Sequence, residues 1–586
     1  MSGGFHSDWA LVRKLGVYLK AHKGLFLLAL SLYPLSALSV VIPPYLIQQI
    51  LDEVIPAKDL DLLTMLASLY LCAIVFDYIA GFASQFFMSV LGQKAMKDLR
   101  HDLYRHVQKL PAAYYDKNPL GRILTRLTND VESLAEVFAT GAVTIIADLI
   151  TIVAIVSAML WMDVKMAMLA FAVLPVLVIV TIFSQRYART AFRGVRKHLA
   201  RINAFLSEHL AGMFIVQSFG QEKRTYREFL DLNIAYRDAN QGAILVDASL
   251  FAVVEALGTL AVVVLLWFGA IDLSDGMVKA GTLVAFIQYI RRFFVPIRDL
   301  SAKYTILQSA FASSERIFEL LSEPVVLAEN KGGLTVSHFK NSIDLKDIWF
   351  SYKDEPRLED WVLKGISFRL VKGDKIALVG ATGSGKTTIL KLLNRFYDPQ
   401  KGYILLDGQS LDKIRLYDVR RTFAVVLQDV YLFRGTVMEN LTFEGVLSEE
   451  RGLNAAKALG VHELIEGLPQ GYETLVKELG ANLSAGERQL LAFARALALD
   501  PEVLVLDEAT SNIDSATEAK LQEALDVLLE GRTAIIVAHR LSTVRKVNCI
   551  YVLQHGEIIE SGSHAQLLKR GGTYSRLAEL QFGTAA

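Results

Sequence analysis

Residues 380–387 read GATGSGKT, a glycine-rich run that ends in Lys386 and Thr387. An apolar stretch, 376–379, precedes it, and a helix-patterned stretch, 388–395, follows. A loop between strand and helix is the setting in which this pattern cradles phosphates. Gly380, Gly383 and Gly385 let successive backbone N–H groups wrap phosphate oxygens, and Thr382, Ser384 and Thr388 belong to the same turn. The helix N-terminus adds a positive end, Lys386 reaches the β- and γ-phosphates of a triphosphate, and Thr387 is placed to ligate Mg²⁺. A second apolar stretch, 503–506, ends in Asp507 and Glu508. Four apolar residues without alternation predict a strand buried on both faces. Asp507 is placed to hold Mg²⁺ through water, and Glu508 to orient and deprotonate an attacking water. An acidic pair after an apolar run is common; 120 residues beyond a phosphate loop it becomes specific.

The elements that position these residues begin near residue 343. From there short β-type runs alternate with helical segments, which predicts a mostly parallel sheet with flanking helices. Upstream, after 323, lies a polar linker over 323–342. Hydrophobic residues make up 53% of the 586-residue chain, and the excess is concentrated before about residue 310. Six runs there are long enough to cross a bilayer, near 25–50, 61–92, 138–161, 165–185, 247–271 and 278–300. Pro43 and Pro44 predict a kink or loosening near the outer end of the first. Residues 1–24 lack the features of a cleavable signal; 8–23 reads as a helix lying in the membrane interface, with Trp9 and Tyr18 near headgroup level, or else as a plain cytosolic lead-in.

Charge sets the orientation. Segments 1–24, 93–137 and 186–246 carry 4, 8 and 10 Lys and Arg, whereas the alternate loops carry only Lys58, Lys165 and Lys279. Both termini and both long segments are therefore expected in the cytoplasm. Helix-spaced Leu99, Leu103, Val107 and Leu110, and Phe205, Leu206, Leu210 and Ile215, predict that the membrane helices continue outward as stalks. Asp77, Asp148, Glu255, Arg291 and Arg292 lie within apolar runs, where charge is costly. They either line a substrate cavity or pair across helices and snorkel to an interface; Asp247 sits nearer the inner boundary. Zero formal net charge gives no hint of a nucleic-acid partner. Cys72 and Cys549, one in each half, do not suggest a disulfide and are expected as packing residues.

Between the two phosphate-site motifs, residues 483–489 read LSAGERQ. This resembles the LSGGQ signature of ABC ATPases, departing from it at Ala485 for Gly and at Glu487 for Gln. The resemblance implies that Ser484 and Gly486, at the start of a helix over 487–499, meet a γ-phosphate. Other family elements follow in order. Tyr352 resembles the aromatic that stacks on adenine. Gln428, in VVLQD, resembles the glutamine that senses Mg²⁺ and touches the membrane domain. Glu478 resembles the export-type coupling loop, residues 511–514 with Asp514 the D-loop, and His539 the switch histidine. In the membrane half, 115–130, beginning at Tyr115 and Asp116, and 208–222 resemble the two intracellular coupling loops of exporters. The chain is thus identified as resembling an ABC exporter half-transporter of the multidrug and lipid type over nearly its whole length.

That resemblance implies an all-α six-helix transmembrane domain with long cytosolic helix extensions (25–322, after an interfacial helix at 1–24), fused to an α/β P-loop ATPase domain (343–586). It implies ATP and Mg²⁺ as cofactors, location in a bacterial cell membrane, and ATPase activity coupled to export of amphiphilic molecules or lipids. With one phosphate loop, one signature and six spans, the chain is expected to work with a second half-transporter. Intact Glu508 favours a homodimer, and the two signature departures leave room for a heterodimer. Alternatives are export of a peptide or siderophore, and a nucleotide-gated channel or regulatory subunit without pumping. Glu508 and His539 argue against the latter, since a gate needs little hydrolysis.

Overall fold

The computed structural model describes residues 4–582 apart from 141, 326–332, 337, 354, 508–514 and 539–540. It forms two compact units, one of Met1–Gln108 with Leu120–Glu323, the other of Lys109–Pro119 with Pro324–Ala586.

The first unit is helical. After an initial helix, Gly4–Lys20, come Lys23–Gln49, Leu60–Val107, Ala142–Met162, Leu174–Ala211, Glu222–Ser274 and Ala280–Ser322. The helix Val164–Phe171 leads into the fourth of these membrane helices. At 1.5 Å per residue the 53 residues of Glu222–Ser274 extend for about 80 Å, far beyond a hydrocarbon layer of about 30 Å. The stalks predicted from apolar spacing are therefore present. Five helices are long and apolar enough to cross a membrane among the described residues. The sixth predicted run lies on Ala280–Ser322, a helix of 43 residues whose hydropathy Arg291 and Arg292 lower. Large apolar side chains point outward, with Tyr78, Phe82 and Trp267 more than 70% exposed, as a lipid-facing surface requires. Inward, Ile155, Met159, Met166, Phe286 and Tyr289 are fully buried.

Polar contacts join the first and last membrane helices. The prolines do not break Lys23–Gln49, which continues through Pro34, Pro43 and Pro44 into a π-turn, Ile50–Val54. Pro44 lacks the N–H that would bond the carbonyl of Val40. Arg292 supplies a donor instead, its guanidinium 2.6 Å from that oxygen, and buried Tyr289 donates to the Val41 carbonyl at 2.7 Å. Nearer the helix end, Asp52 accepts the N–H groups of Gly281 and Thr282 at 2.5 and 3.0 Å. It thereby caps a helix whose own N-cap residue, Lys279, makes no side-chain bond. Gly281 has to be glycine, because a Cβ there would lie 2.6 Å from the Gln48 carbonyl oxygen and 2.7 Å from the Asp52 carboxyl.

Some of the intramembrane charges are bonded across helices. Asp148 forms an ion pair with Lys303 across helices, and Asp77 accepts the Ser39 hydroxyl at 2.7 Å. Glu255, Asp247 and Arg291 are exposed. Buried Asp272 pairs with Lys165 at 2.7 Å. Tyr18 of the initial helix donates to Asp102, and His22, just past its end, pairs with Asp98.

The second unit is α/β. A six-stranded sheet has the order β12-β11-β3-β10-β9-β6, built from β3 (Lys375–Val379), β6 (Phe423–Val426), β9 (Val503–Asp507), β10 (Thr533–Val537), β11 (Cys549–Gln554) and β12 (Glu557–Gly562). All its pairings are parallel except that of the edge strand β12. A four-stranded antiparallel sheet has the order β2-β1-β4-β5, from β1 (Ser342–Phe350), β2 (Leu363–Val371), β4 (Lys401–Leu406) and β5 (Gln409–Ser410). A short ribbon joins β7 (Gly435–Thr436) to β8 (Leu475–Val476). Every residue of β9 and β10 is buried, because both faces of the parallel sheet are covered. Alternate residues serve two cores: Leu504, Leu506, Ala534 and Ile536 face one, Val503, Val505, Ile535 and Val537 the other. Cys549 packs at the edge of the second core, whereas Cys72 is exposed, so the packing expectation fits only one of the two cysteines.

Candidate nucleotide-binding site

In an open parallel sheet, ligands bind where the carboxyl ends of the strands meet the loops. Register aligns those ends here. Val537 of β10 pairs with Asp507 of β9 and with Leu378 of β3, and Val426 of β6 pairs with Leu506. Asp507 closes β9, and the loops leaving β3 and β6 carry Gly380 onward and Gln428, so residues distant in sequence converge at one edge. Glu508, Asp514 and His539 lie outside the described residues.

The phosphate loop has the backbone its glycines were expected to permit. Gly383 and Gly385 have φ of 82° and 103°, a region that side chains with a Cβ rarely adopt. A Cβ on Gly385 would also lie 2.5 Å from Leu363 Cδ2. The helix Lys386–Leu393 starts directly after it. Lys386 is 7% exposed, and its Nζ donates to the Gly380 and Ala381 carbonyls at 2.8 and 3.0 Å. Burial pushes its ammonium pKa down, with nearby Asp507 opposing. Buried Ser384 has a hydroxyl with no partner among the described residues, an orphan that a phosphate oxygen or its metal would satisfy. Thr387 donates to Asp507 Oδ2 at 3.1 Å, joining two of the three predicted metal-site residues across 120 positions. Thr382 and Gly383 are exposed at the mouth, and Gln428 is exposed just beyond β6. A triphosphate with Mg²⁺ fits this set: donors at the loop, a cation in Lys386, and a hydroxyl–carboxylate pair for the metal.

Tyr352, 38% exposed, meets Phe350 and Tyr397 edge to face at 5.0 and 5.3 Å, and its hydroxyl lies 3.1 Å from Thr388 Oγ1. Lys391 stands 5.3 Å over its ring. This pair around Tyr352, Lys391 and Tyr397, was missed from sequence. Lys391 was within reach of a helical-face argument, since it follows Thr388 by three residues. Tyr397 also bonds Asp116, in the short helix Ala112–Lys117 that belongs to this unit. Ser484 caps the helix Ala485–Ala498; Ser484 and Ala485 are exposed, and Gly486 is buried. Glu478 is exposed at the start of a single turn, Glu478–Gly480.

Comparison with known proteins adds to this geometry. The family described as ABC transporter transmembrane region matches residues 26–297, and the family described as ABC transporter matches residues 363–511. The chain is 36% identical over 581 residues to an uncharacterized ABC transporter ATP-binding protein, YknV, of Bacillus subtilis (strain 168), covering 99% of this chain and 96% of that protein. It is 38% identical over 525 residues to a probable multidrug resistance ABC transporter ATP-binding/permease protein, YheH, of the same organism, covering 89% and 77%. It is 31% identical over 544 residues to an ATP-dependent lipid A-core flippase of Syntrophus aciditrophicus (strain SB), covering 92% and 89%. With a helical membrane unit and a phosphate-loop ATPase unit on one polypeptide, the chain belongs to the ABC transporters, as a multi-pass half-transporter of the exporter type whose transport is coupled to ATP hydrolysis.

Proposed function

We propose that two copies of this chain form one pump that exports amphiphilic molecules or lipids. The observation that carries the reading is that a single chain offers one phosphate loop and one signature, and that Ser484 and Ala485 of the signature are exposed. In this reading the signature of each copy closes on the phosphate loop of the other, making two sites from two chains. Lys386, Ser384 and Gly380–Gly385 backbone groups hold the phosphates, Tyr352 stacks on adenine, and Thr387, Asp507 and Gln428 hold Mg²⁺. Glu508 acts as general base, with His539 and Asp514 completing the closed site.

A second feature supports two copies. The short helix Met213–Ser218 on the long stalk has no buried residue, and Phe214, Ile215 and Phe219 are 79%, 58% and 72% exposed. Such a cluster outside the hydrocarbon calls for cover, and a second chain offers it. Closure of the two ATPase units then moves the stalks and turns the membrane cavity outward. ATP drives this by binding the closed state more tightly than the open one. The cationic segments favour a cytoplasmic ATPase unit, and the likeness to bacterial proteins favours the inner membrane.

The names of the relatives, multidrug resistance and lipid A-core flippase, favour drugs or lipids as cargo. The chain expressed alone and reconstituted in proteoliposomes should move fluorescent lipids or cationic dyes only when ATP is supplied. Cooperative ATPase activity without a second gene product would identify a homodimer; activity that needs a different chain would identify a heterodimer, and ATP-independent flux would identify a gated channel.

A further inference from the structure

The signature differs from its family pattern at Glu487, and the structure shows what this side chain does. Ser484 Oγ accepts the Glu487 N–H at 3.3 Å, and Glu487 Oε2 accepts the Ser484 N–H at 2.7 Å, a closed capping box on Ala485–Ala498. The Ser484 oxygen is used as an acceptor, so its O–H remains available to donate. A glutamine at 487 could form the same box through its amide oxygen. What glutamate adds is a negative charge in the first turn of a 14-residue helix. It offsets the partial positive charge of roughly half an electron at that N-terminus, which would otherwise attract a phosphate. Glu487 as a residue is half-buried, one turn from the exposed Ser484.

We propose that Glu487 is a positioning residue with an electrostatic cost: it fixes Ser484 for the γ-phosphate while lowering the affinity of the signature for that phosphate. The inference rests on the sandwich reading above. It assigns to Glu487 the apparent ATP affinity at which the two ATPase units close, and it separates the side chain's geometry from its charge.

Glu487→Gln and Glu487→Ala in the full-length protein, reconstituted in nanodiscs, separate these two effects. Glu487→Gln keeps the box and removes the charge. It should lower the KM for ATP by about three- to tenfold at low salt, and the advantage should shrink as ionic strength approaches about 0.5 M. Glu487→Ala loses both box and charge, so its KM should exceed that of Glu487→Gln and its kcat should fall. A KM for Glu487→Gln equal to wild type at every salt concentration would overturn the electrostatic role. Identical kinetics for the Gln and Ala variants would overturn the positioning role. Ser484→Ala tests the underlying sandwich: unaltered ATP turnover, with no cooperativity in ATP, would reject that reading and not the assignment of Glu487 alone.

Discussion

The Tyr397 hydroxyl donates to Asp116 Oδ2 across 2.5 Å, although 281 positions separate them in the chain. Lys391 reaches the same oxygen at 3.1 Å while standing over the rings of both Tyr352 and Tyr397. One ammonium thus contacts the aromatic expected to carry adenine and the carboxylate of the short helix Ala112–Lys117. Burial pushes the Asp116 pKa up, but the bonds from Tyr397 and Lys391 outweigh it and hold the carboxyl below its ordinary value. Burial, reinforced by Asp116, pushes the Tyr397 pKa up, so that hydroxyl remains a donor.

A depressed carboxylate contributes stability that is complete above its unfolded pKa and is lost as pH falls through the folded value. The Tm difference between wild type and Asp116→Asn should therefore stay constant from about pH 6 to pH 9 and narrow only below about pH 4. Tyr397→Phe should reduce stimulation of ATPase activity by transported compounds while leaving the KM for ATP within about twofold. A pH-independent Tm difference persisting into acid would refute the ionised contact.

Lys386→Ala removes a buried cation held over the phosphate loop by the Gly380 and Ala381 carbonyls. Nucleotide affinity should fall on the order of 10- to 100-fold, the scale of a charge-assisted hydrogen bond. Equilibrium binding of a fluorescent ATP analogue measures it, and normal affinity would contradict the role.

Glu508→Gln should slow hydrolysis by roughly 10²- to 10⁴-fold while sparing ATP binding. Single-turnover kinetics alongside a binding isotherm separates the two. Unchanged turnover would remove Glu508 as the base.

Arg292→Ala should leave the carbonyl of Val40 without a donor and cost about 1–3 kcal/mol. Pro44→Ala restores the helix's own N–H, so the double variant should recover much of that loss. Thermal unfolding of all four proteins forms the cycle. Strict additivity would show that Arg292 acts through some other contact.

What was legible in the sequence was local. The GATGSGKT loop and the strand ending in Asp507 announce themselves because their physics fits within one turn or one strand. Their convergence was also expected, and the Thr387–Asp507 bond at 3.1 Å shows it. The contacts that were not legible join distant segments. Pro43 and Pro44 predicted a weakened first membrane helix, but the answer to Pro44 is an arginine about 250 residues later. Asp148 was expected among cavity or paired charges, yet its partner Lys303 lies beyond the sixth apolar run. Tyr397 carried no periodic signal, since its role depends on Asp116 being brought alongside.

The Arg292–Val40 bond has a consequence for how the protein is made. The two residues are 252 positions apart, and a ribosome adds about 5–20 residues per second. The first helix therefore enters the bilayer roughly 13–50 s before its missing donor has been synthesised. During that interval its exposed carbonyl must be met by water, by the insertion machinery or by lipid headgroups. Nascent chains truncated before Arg292 should be the ones most open to membrane quality control.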